Sequence, residues 1–192
     1  MNATEKWLYF LMEGAQVVRF HSRPTLKPIT DGQHQHGVAL ICWFLSNGKP
    51  SANLLMAALT HDQAEQAASD MSSPAKWALG LSKVLAAYEQ SHLTMQGFHE
   101  WAELTEEESE ILNWADQFEG MLSCVRERFL GNRYVNLSYW KWRGWAEAQS
   151  MSVVAHELYS AIHKMWLWAD SNEAPIFDVF KEVPQHHVKT EG

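Results

Sequence analysis

The stretch from Thr105 to Asn132 most limits what this chain can become. Thr105-Glu-Glu-Glu108 has the form of a capping box, in which the threonine hydroxyl accepts from the third residue's N–H and that residue's carboxylate reaches back. Behind it Ile111, Leu112, Ala115, Phe118, Leu122 and Val125 recur at helical spacing until Gly131-Asn132 stops the pattern. Such a helix must bury its apolar stripe against other elements, and the rest of the chain supplies helices. Residues from about Glu5 to Arg19 place Leu8, Leu11, Met12, Ala15 and Val18 at helical spacing; Pro24 and Pro28 end that pattern, and Thr30-Asp31-Gly32 continues the loop. Val38 to Leu45 has the length of a strand but lies between helical neighbours and stops at Ser46-Asn47-Gly48-Lys49-Pro50. Ala52 to Ala68 has a helix pattern, Asp70 to Pro74 a loop, and a helix follows from Pro74. The last helical segment, Val135 to Ala169, is heavily aromatic. With no repeat and no convincing strand pair, the expected class is all-α: a compact, single-domain helical bundle over residues 1–175, followed by a loosely held tail over 176–192.

Composition narrows what such a bundle can do. A length of 192 residues suits one domain, and 46% hydrophobic residues can close a sizeable core. The formal charge of −8 sets the chain against polyphosphate backbones, so no nucleic-acid polymer is expected as a partner, while a small anion held by placed cations or a metal remains compatible. Cys42 and Cys124 form neither a disulfide framework nor a CxxC motif and suit a reducing cytoplasm. No apolar run approaches the ~18 residues of a membrane helix, and the start lacks the form of a signal peptide. Ten Trp, half of them in the last third, suit helix packing or subunit contacts, so a homo-oligomer is expected.

The chemistry concentrates around His61-Asp62, which enters the most apolar helix pattern directly after Leu54 to Leu59. Imidazole and carboxylate are common ligands of divalent metals, and a metal would offset the cost of burying them; local capping or pairing is the plainer explanation of the dipeptide alone. Glu65, four residues after His61, is expected on the same helix face, where a carboxylate could activate or orient a water. Asp70 follows closely enough to bend back over the helix end. Lys76, in the first turn of the next helix, favours an anion together with that helix N-terminus. Either His34 or His36 could complete the metal site, and spacing does not choose between them. Asp116, an acid among apolar neighbours, is either a rim residue or a fourth ligand.

Taken in order, His34, His61-Asp62 and Asp116 resemble the H…HD…D signature of the HD-domain metal-dependent phosphohydrolases. The finer likeness is to the branch of 5'-deoxynucleotidases and phage dATP triphosphohydrolases. It rests on Arg19-Phe-His21, Pro24-Thr-Leu-Lys-Pro28, His34 with Val38-Ala39, His61-Asp-Gln-Ala-Glu65, Asp70…Pro74-Ala-Lys76 and Ala115-Asp116, about half the chain. Gln33, His36, Ser69 and Ser72 depart from the pattern; none is a ligand. The resemblance implies an HD-type bundle in which His34, not His36, joins His61, Asp62 and Asp116 around one divalent ion of the Mn, Co, Mg or Zn kind. It implies catalytic roles for Glu65 and Asp70, phosphate contacts from Arg19 and Lys76, and Phe20 against the nucleoside. The implied substrate is a free 2'-deoxynucleotide, mono- or triphosphate. A non-catalytic nucleotide-binding protein that keeps the fold is the alternative.

Overall fold

The computed structural model describes residues 3–20, 23–68, 73–96 and 103–171. Among them run nine helices: α1 (Ala3–Gly14), α2 (Asp31–Leu45), α3 (Ala52–Thr60), α4 (Glu65–Ala68), α5 (Ser73–Ala78), α6 (Ser82–Met95), α7 (Glu106–Phe129), α8 (Asn136–Glu147) and α9 (Val153–Ser171). The only pairing of β type among the described residues is a single bridge between Val18 and Thr30, so the class is all-α. The tail over 176–192 lies outside the described residues.

The helix anticipated after Thr105 is the axis of the bundle. Its capping box forms: Thr105 Oγ1 accepts from the Glu108 N–H at 3.2 Å, and Glu108 Oε2 accepts from the Thr105 N–H at 2.9 Å. At 24 residues α7 is about 36 Å long, and it packs against α2, α3, α8 and α9. From Trp114 to Arg128 most of its side chains are buried. Val38 and Cys42 of α2, Leu54 and Ala58 of α3, Phe118 and Met121 of α7, and Ile162 of α9 share one core. Trp166 of α9 stacks on Tyr139 of α8 with ring centroids 3.8 Å apart. Gly120 lets α8 approach closely, because a Cβ there would stand 2.8 Å from the Trp142 ring.

Several boundaries differ from the sequence pattern. The first helix ends at Gly14 rather than running to Arg19. A Cβ on Gly14 would collide with Gln63, whose side chain donates to the Phe10 carbonyl at 2.7 Å, and the chain then turns to form the Val18–Thr30 bridge. Thr30-Asp31-Gly32 is not loop: Thr30 is the N-cap of α2, and its N–H donates to Gln33 Oε1 at 3.2 Å. The pattern over Ala52 to Ala68 breaks at residues 61–64, where Gln63 N–H donates to Thr60 O and Glu65 N–H to Asp62 O. The helix after Pro74 stops at Ala78 and restarts at Ser82, with Gly80 at φ +66° between. The last aromatic segment is two helices; α9 restarts where Ser152 Oγ accepts from the Ala155 N–H at 3.2 Å.

One buried carboxylate ties the loop before α2 to the end of α7. Glu127 accepts from the N–H groups of Leu26 at 2.7 Å and Lys27 at 2.9 Å and from Asn132 Nδ2 at 2.7 Å. Asn132 also donates to the Pro24 carbonyl at 2.9 Å, so its role is to shape this turn rather than to reach a ligand. Burial works against charge on Glu127, yet the hydrogen bonds from Asn132, Leu26 and Lys27 outweigh it and hold its pKa below the usual carboxylate range. A lowered folded-state pKa contributes stability that is present above the unfolded value of about 4.3 and lost as pH falls through that region. Glu127→Gln should therefore cost about 1.5–3 kcal/mol in urea unfolding at neutral pH. It should also flatten the loss of stability between about pH 5 and 3; an acid limb as steep as wild type would show that Glu127 does not carry it.

Candidate metal centre

Three stretches of chain bring the expected ligands close together: His34, His61 and Asp116 form one cluster, while Asp62, beside both imidazoles, groups with Asp31 and Glu65. His34 sits in the first turn of α2 and is almost wholly buried, at 1% exposure. His61 is the C-cap of α3, Asp62 lies in the turn that follows, and Asp116 comes from the middle of α7. His34 Nε2 is 3.1 Å from Asp116 Oδ1, 3.2 Å from His61 Nε2 and 3.5 Å from Asp62 Oδ2. His61 Nε2 is 3.4 Å from Asp62 Oδ2 and 4.0 Å from Asp116 Oδ1. His36 is exposed and outside the cluster.

The donor set fits a cation. His61 Nδ1 stands 3.0 Å from the Ala58 carbonyl, which can only accept, so that nitrogen carries the hydrogen. His34 Nδ1 stands 2.7 Å from Glu119 Oε2 and donates in the same way. When neutral, both rings present Nε2 lone pairs to each other at 3.2 Å, with carboxylate oxygens beside them. That arrangement is repulsive until a proton or a metal enters it. Ligands bonded at ~2.0–2.2 Å to one ion stand about 3.0–3.5 Å apart, which is the spacing of most of these atoms. The electrostatics agree. Burial and Arg19 disfavour charge on His34, but hydrogen bonds with Asp116 and Glu119 and the charge of Asp62 raise its pKa to about 9. Burial also works against charge on Asp62 and Asp116; His61, Arg19 and His34 hold the first low, and chiefly His34 the second. The pocket draws positive charge at neutral pH.

Arg19 borders this centre. The β-bridge and the bond from its N–H to the Ile29 carbonyl, 2.9 Å, place it beside the start of α2. Its guanidinium donates to Asp62 Oδ2, the oxygen that faces both imidazoles, and to Asp31 Oδ1 at 3.3 Å. Burial opposes its charge, but Asp62, Asp116, Glu65 and Asp31 together raise its pKa further. Phe20, at φ +57°, lies edge-on to Trp142 at 5.9 Å, with the Arg19 guanidinium carbon 5.8 Å from its ring centre. Glu65 is buried, and one oxygen each of Asp31, Asp62 and Glu65 lie within 4.8 Å of one another. It arrives there through the break after His61, not by sharing a helix face with it. Lys76 Nζ sits 3.7 Å from Glu65 Oε1 and 3.8 Å from Glu89 Oε1. Asp70 and His21 lie outside the described residues.

Two acids here escape sequence reasoning. Glu119 follows Asp116 by one helical turn, so the i to i+3 relation that puts both on one face of α7 is the signal that could have found it. Asp31 is fully buried beside Arg19, and nothing in its spacing announces that. Protein stripped of metal should take up one divalent ion per chain, and His61→Ala or Asp116→Ala should retain none by elemental analysis after gel filtration. Retention equal to wild type would remove those side chains from the centre.

No protein-family model matches the sequence, and no curated protein does. Solved structures do match. The cyanophage S-2L HD phosphohydrolase DatZ, bound to dA and one catalytic Zn²⁺ ion, is similar at TM-score 0.62 and 20% identity, over 83% of this chain and 95% of that one. An HD-domain phosphohydrolase from Listeria innocua, lin2634, is similar at TM-score 0.60 and 18% identity, over 94% of this chain and 90% of that one. The PH0347 protein from Pyrococcus horikoshii OT3 is similar at TM-score 0.66 and 18% identity, over 84% of this chain and 99% of that one. At this level of identity the likeness speaks to architecture: the chain has the fold of the HD-domain phosphohydrolases.

Proposed function

We propose that this chain is a metal-dependent phosphohydrolase of free 2'-deoxynucleotides, acting on a monophosphate or a triphosphate. The observation that carries the reading is the pair of facing imidazole Nε2 atoms at 3.2 Å, flanked by Asp62 and Asp116 and bordered by the Arg19 guanidinium. The fold supports it, as does the similarity to a phage enzyme that holds dA and a catalytic Zn²⁺ ion. His34, His61, Asp62 and Asp116 would hold one divalent ion. When bound, that ion supplies polarisation of a phosphoryl group and lowers the pKa of a nearby water.

The chain's own residues would do the rest. Glu65, buried next to Asp62 and near Lys76, would orient the attacking water and take a proton from it. Arg19 rests on Asp62 and Asp31 and would offset charge building on the phosphate oxygens, as would Lys76, which lies beside Glu65. Phe20 would pack against the nucleoside, and a close wall at C2' would exclude a hydroxyl. Asp70 is the proposed general acid or base. The catalytic domain is taken to run over residues 1–175. No described helix is long and apolar enough to cross a membrane, the two cysteines are free and buried, and we place the activity in the cytoplasm.

The reading extends to a homo-oligomer, with one revision of where the contact would lie. Trp142 packs inside the protomer against Gly120 and Phe20, and Trp166 against Tyr139. Leu40, Trp43 and Phe44 of α2 and Met56 and Leu59 of α3 are the exposed apolar side chains a second copy would cover.

Two measurements test these readings. Each dNMP, NMP, dNTP and NTP is incubated with Mn²⁺-, Co²⁺-, Mg²⁺- or Zn²⁺-loaded protein and the products are resolved by chromatography. Turnover of deoxynucleotides well above ribonucleotides is expected, reduced about 10²–10⁴-fold in Glu65→Ala with the metal retained. No turnover with any metal, or equal rates on dATP and ATP and on dAMP and AMP, would contradict the proposal. Light scattering at micromolar concentration should give a multiple of 22.0 kDa, and a lone protomer would dismiss the assembly.

A further inference from the structure

We propose that Glu119, seated by Gly37 and Arg126, is the positioning residue that fixes the orientation and tautomer of His34 for the metal. The inference rests on the metal reading of the site. Glu119 is buried at 2% exposure in the middle of α7, where an ionised carboxylate is costly unless it is fully bonded. Its bonds point in two directions. Towards the site, Oε2 accepts from His34 Nδ1 at 2.7 Å. Away from it, Ser123 Oγ lies 3.1 Å from both oxygens, and Arg126 Nη2 donates to Oε1 at 2.5 Å and to Ser123 Oγ at 2.7 Å. The Arg126 side chain is 57% exposed, so the neutralising charge stays in water while the carboxylate it holds is dry.

Gly37 is the second, independent sign that this position is built for a carboxylate. A Cβ there would stand 2.7 Å from Glu119 Cγ and 3.4 Å from Cδ and Oε1. The backbone of α2 is thus cut back at the residue one turn below His34, on the side where Glu119 lies. An ion pair present only to join Arg126 to α7 needs neither that gap nor the bond to His34. A carboxylate that receives Nδ1–H leaves Nε2 as the lone pair facing the centre, holds the ring plane, and raises the basicity of the ligand. Ser123 and Arg126 keep the carboxylate itself from turning.

The test uses the full chain, stripped by chelator and titrated with Co²⁺, read by the visible absorption of the bound ion and by competition with a chromophoric chelator. Wild type should bind one Co²⁺. E119Q should weaken binding by about 10–100-fold and alter the Co²⁺ spectrum, with metal-free thermal unfolding close to wild type. R126M, changed at an exposed side chain, should keep the fold and weaken binding by about tenfold, the low end for such partners; G37A should act in the same direction by pushing Glu119 aside. If E119Q does not fold, R126M and G37A decide. Wild-type affinity and spectrum in R126M together with E119Q or G37A would overturn the proposal while leaving the metal reading intact. Failure of the wild-type chain to bind Co²⁺ would overturn both.

Discussion

Because α7 is enclosed by α2, α3, α8 and α9, the buried polar side chains on its inner turns, Glu119, Ser123 and Glu127, cannot rely on water, and Asp116 is only partly open to it. Asp116, Glu119, Ser123 and Glu127 recur at steps of three and four, so they line one face of that helix. Each finds a partner inside the protein. Asp116 finds the imidazoles, Glu119 and Ser123 find His34 and Arg126, and Glu127 finds the backbone of the loop before α2. A single polar seam thereby serves as ligand, ligand support and loop anchor. The same seam sets how the loop carrying Arg19 meets the helix carrying His34, since Glu127 and Asn132 pin residues 24–27 and the Val18–Thr30 bridge does the rest.

The balance of charge around the centre is lopsided. Asp31, Asp62, Glu65, Asp116 and Glu119 gather within a few side chains of Arg19 and Lys76. On a chain of net charge −8 such a pocket repels a phosphate. Arg19 cannot reverse this alone, because its guanidinium already lies on two of those carboxylates. A divalent ion among the imidazoles would offset most of that excess, so affinity for an anionic ligand and affinity for the ion would be linked through the same oxygens.

Much of this was legible in the chain, and the misses have physical causes. The capping box at Thr105 and the all-helical class follow from residue type and order; the set His34, His61, Asp62 and Asp116 comes from the resemblance, since spacing leaves His34 and His36 open. The interruption after Thr60 does not: residues 61–64 hold no glycine or proline, and the break is imposed by Gln63 reaching the Phe10 carbonyl and by the close approach of Gly14. That break, rather than helical periodicity, turns Asp62 towards Arg19 and brings Glu65 beside it. The start of α2 is the opposite case. Thr30 and Gln33 have the spacing of a cap, but Pro28 and Gly32 around them have the look of a loop. Glu119 was hidden because an acid among apolar helix residues commonly marks the rim of an amphipathic face; only the packing of α2 shows it to be inside.

The bond between His34 and Glu119 spans 85 residues, and the contact between the two histidines spans 27. No fragment of the chain carries the centre by itself. The entropy of closing such long loops is met only when α2, α3 and α7 have all docked, so the centre is completed late in folding. An ion gripped by these side chains therefore distinguishes sharply between native and unfolded chains. By mass action it adds about 2.7 kcal/mol to the native state at a hundredfold excess over its dissociation constant. On the metal reading, the supply of the ion would then govern how long the protein survives proteolysis, as well as whether it is competent to act.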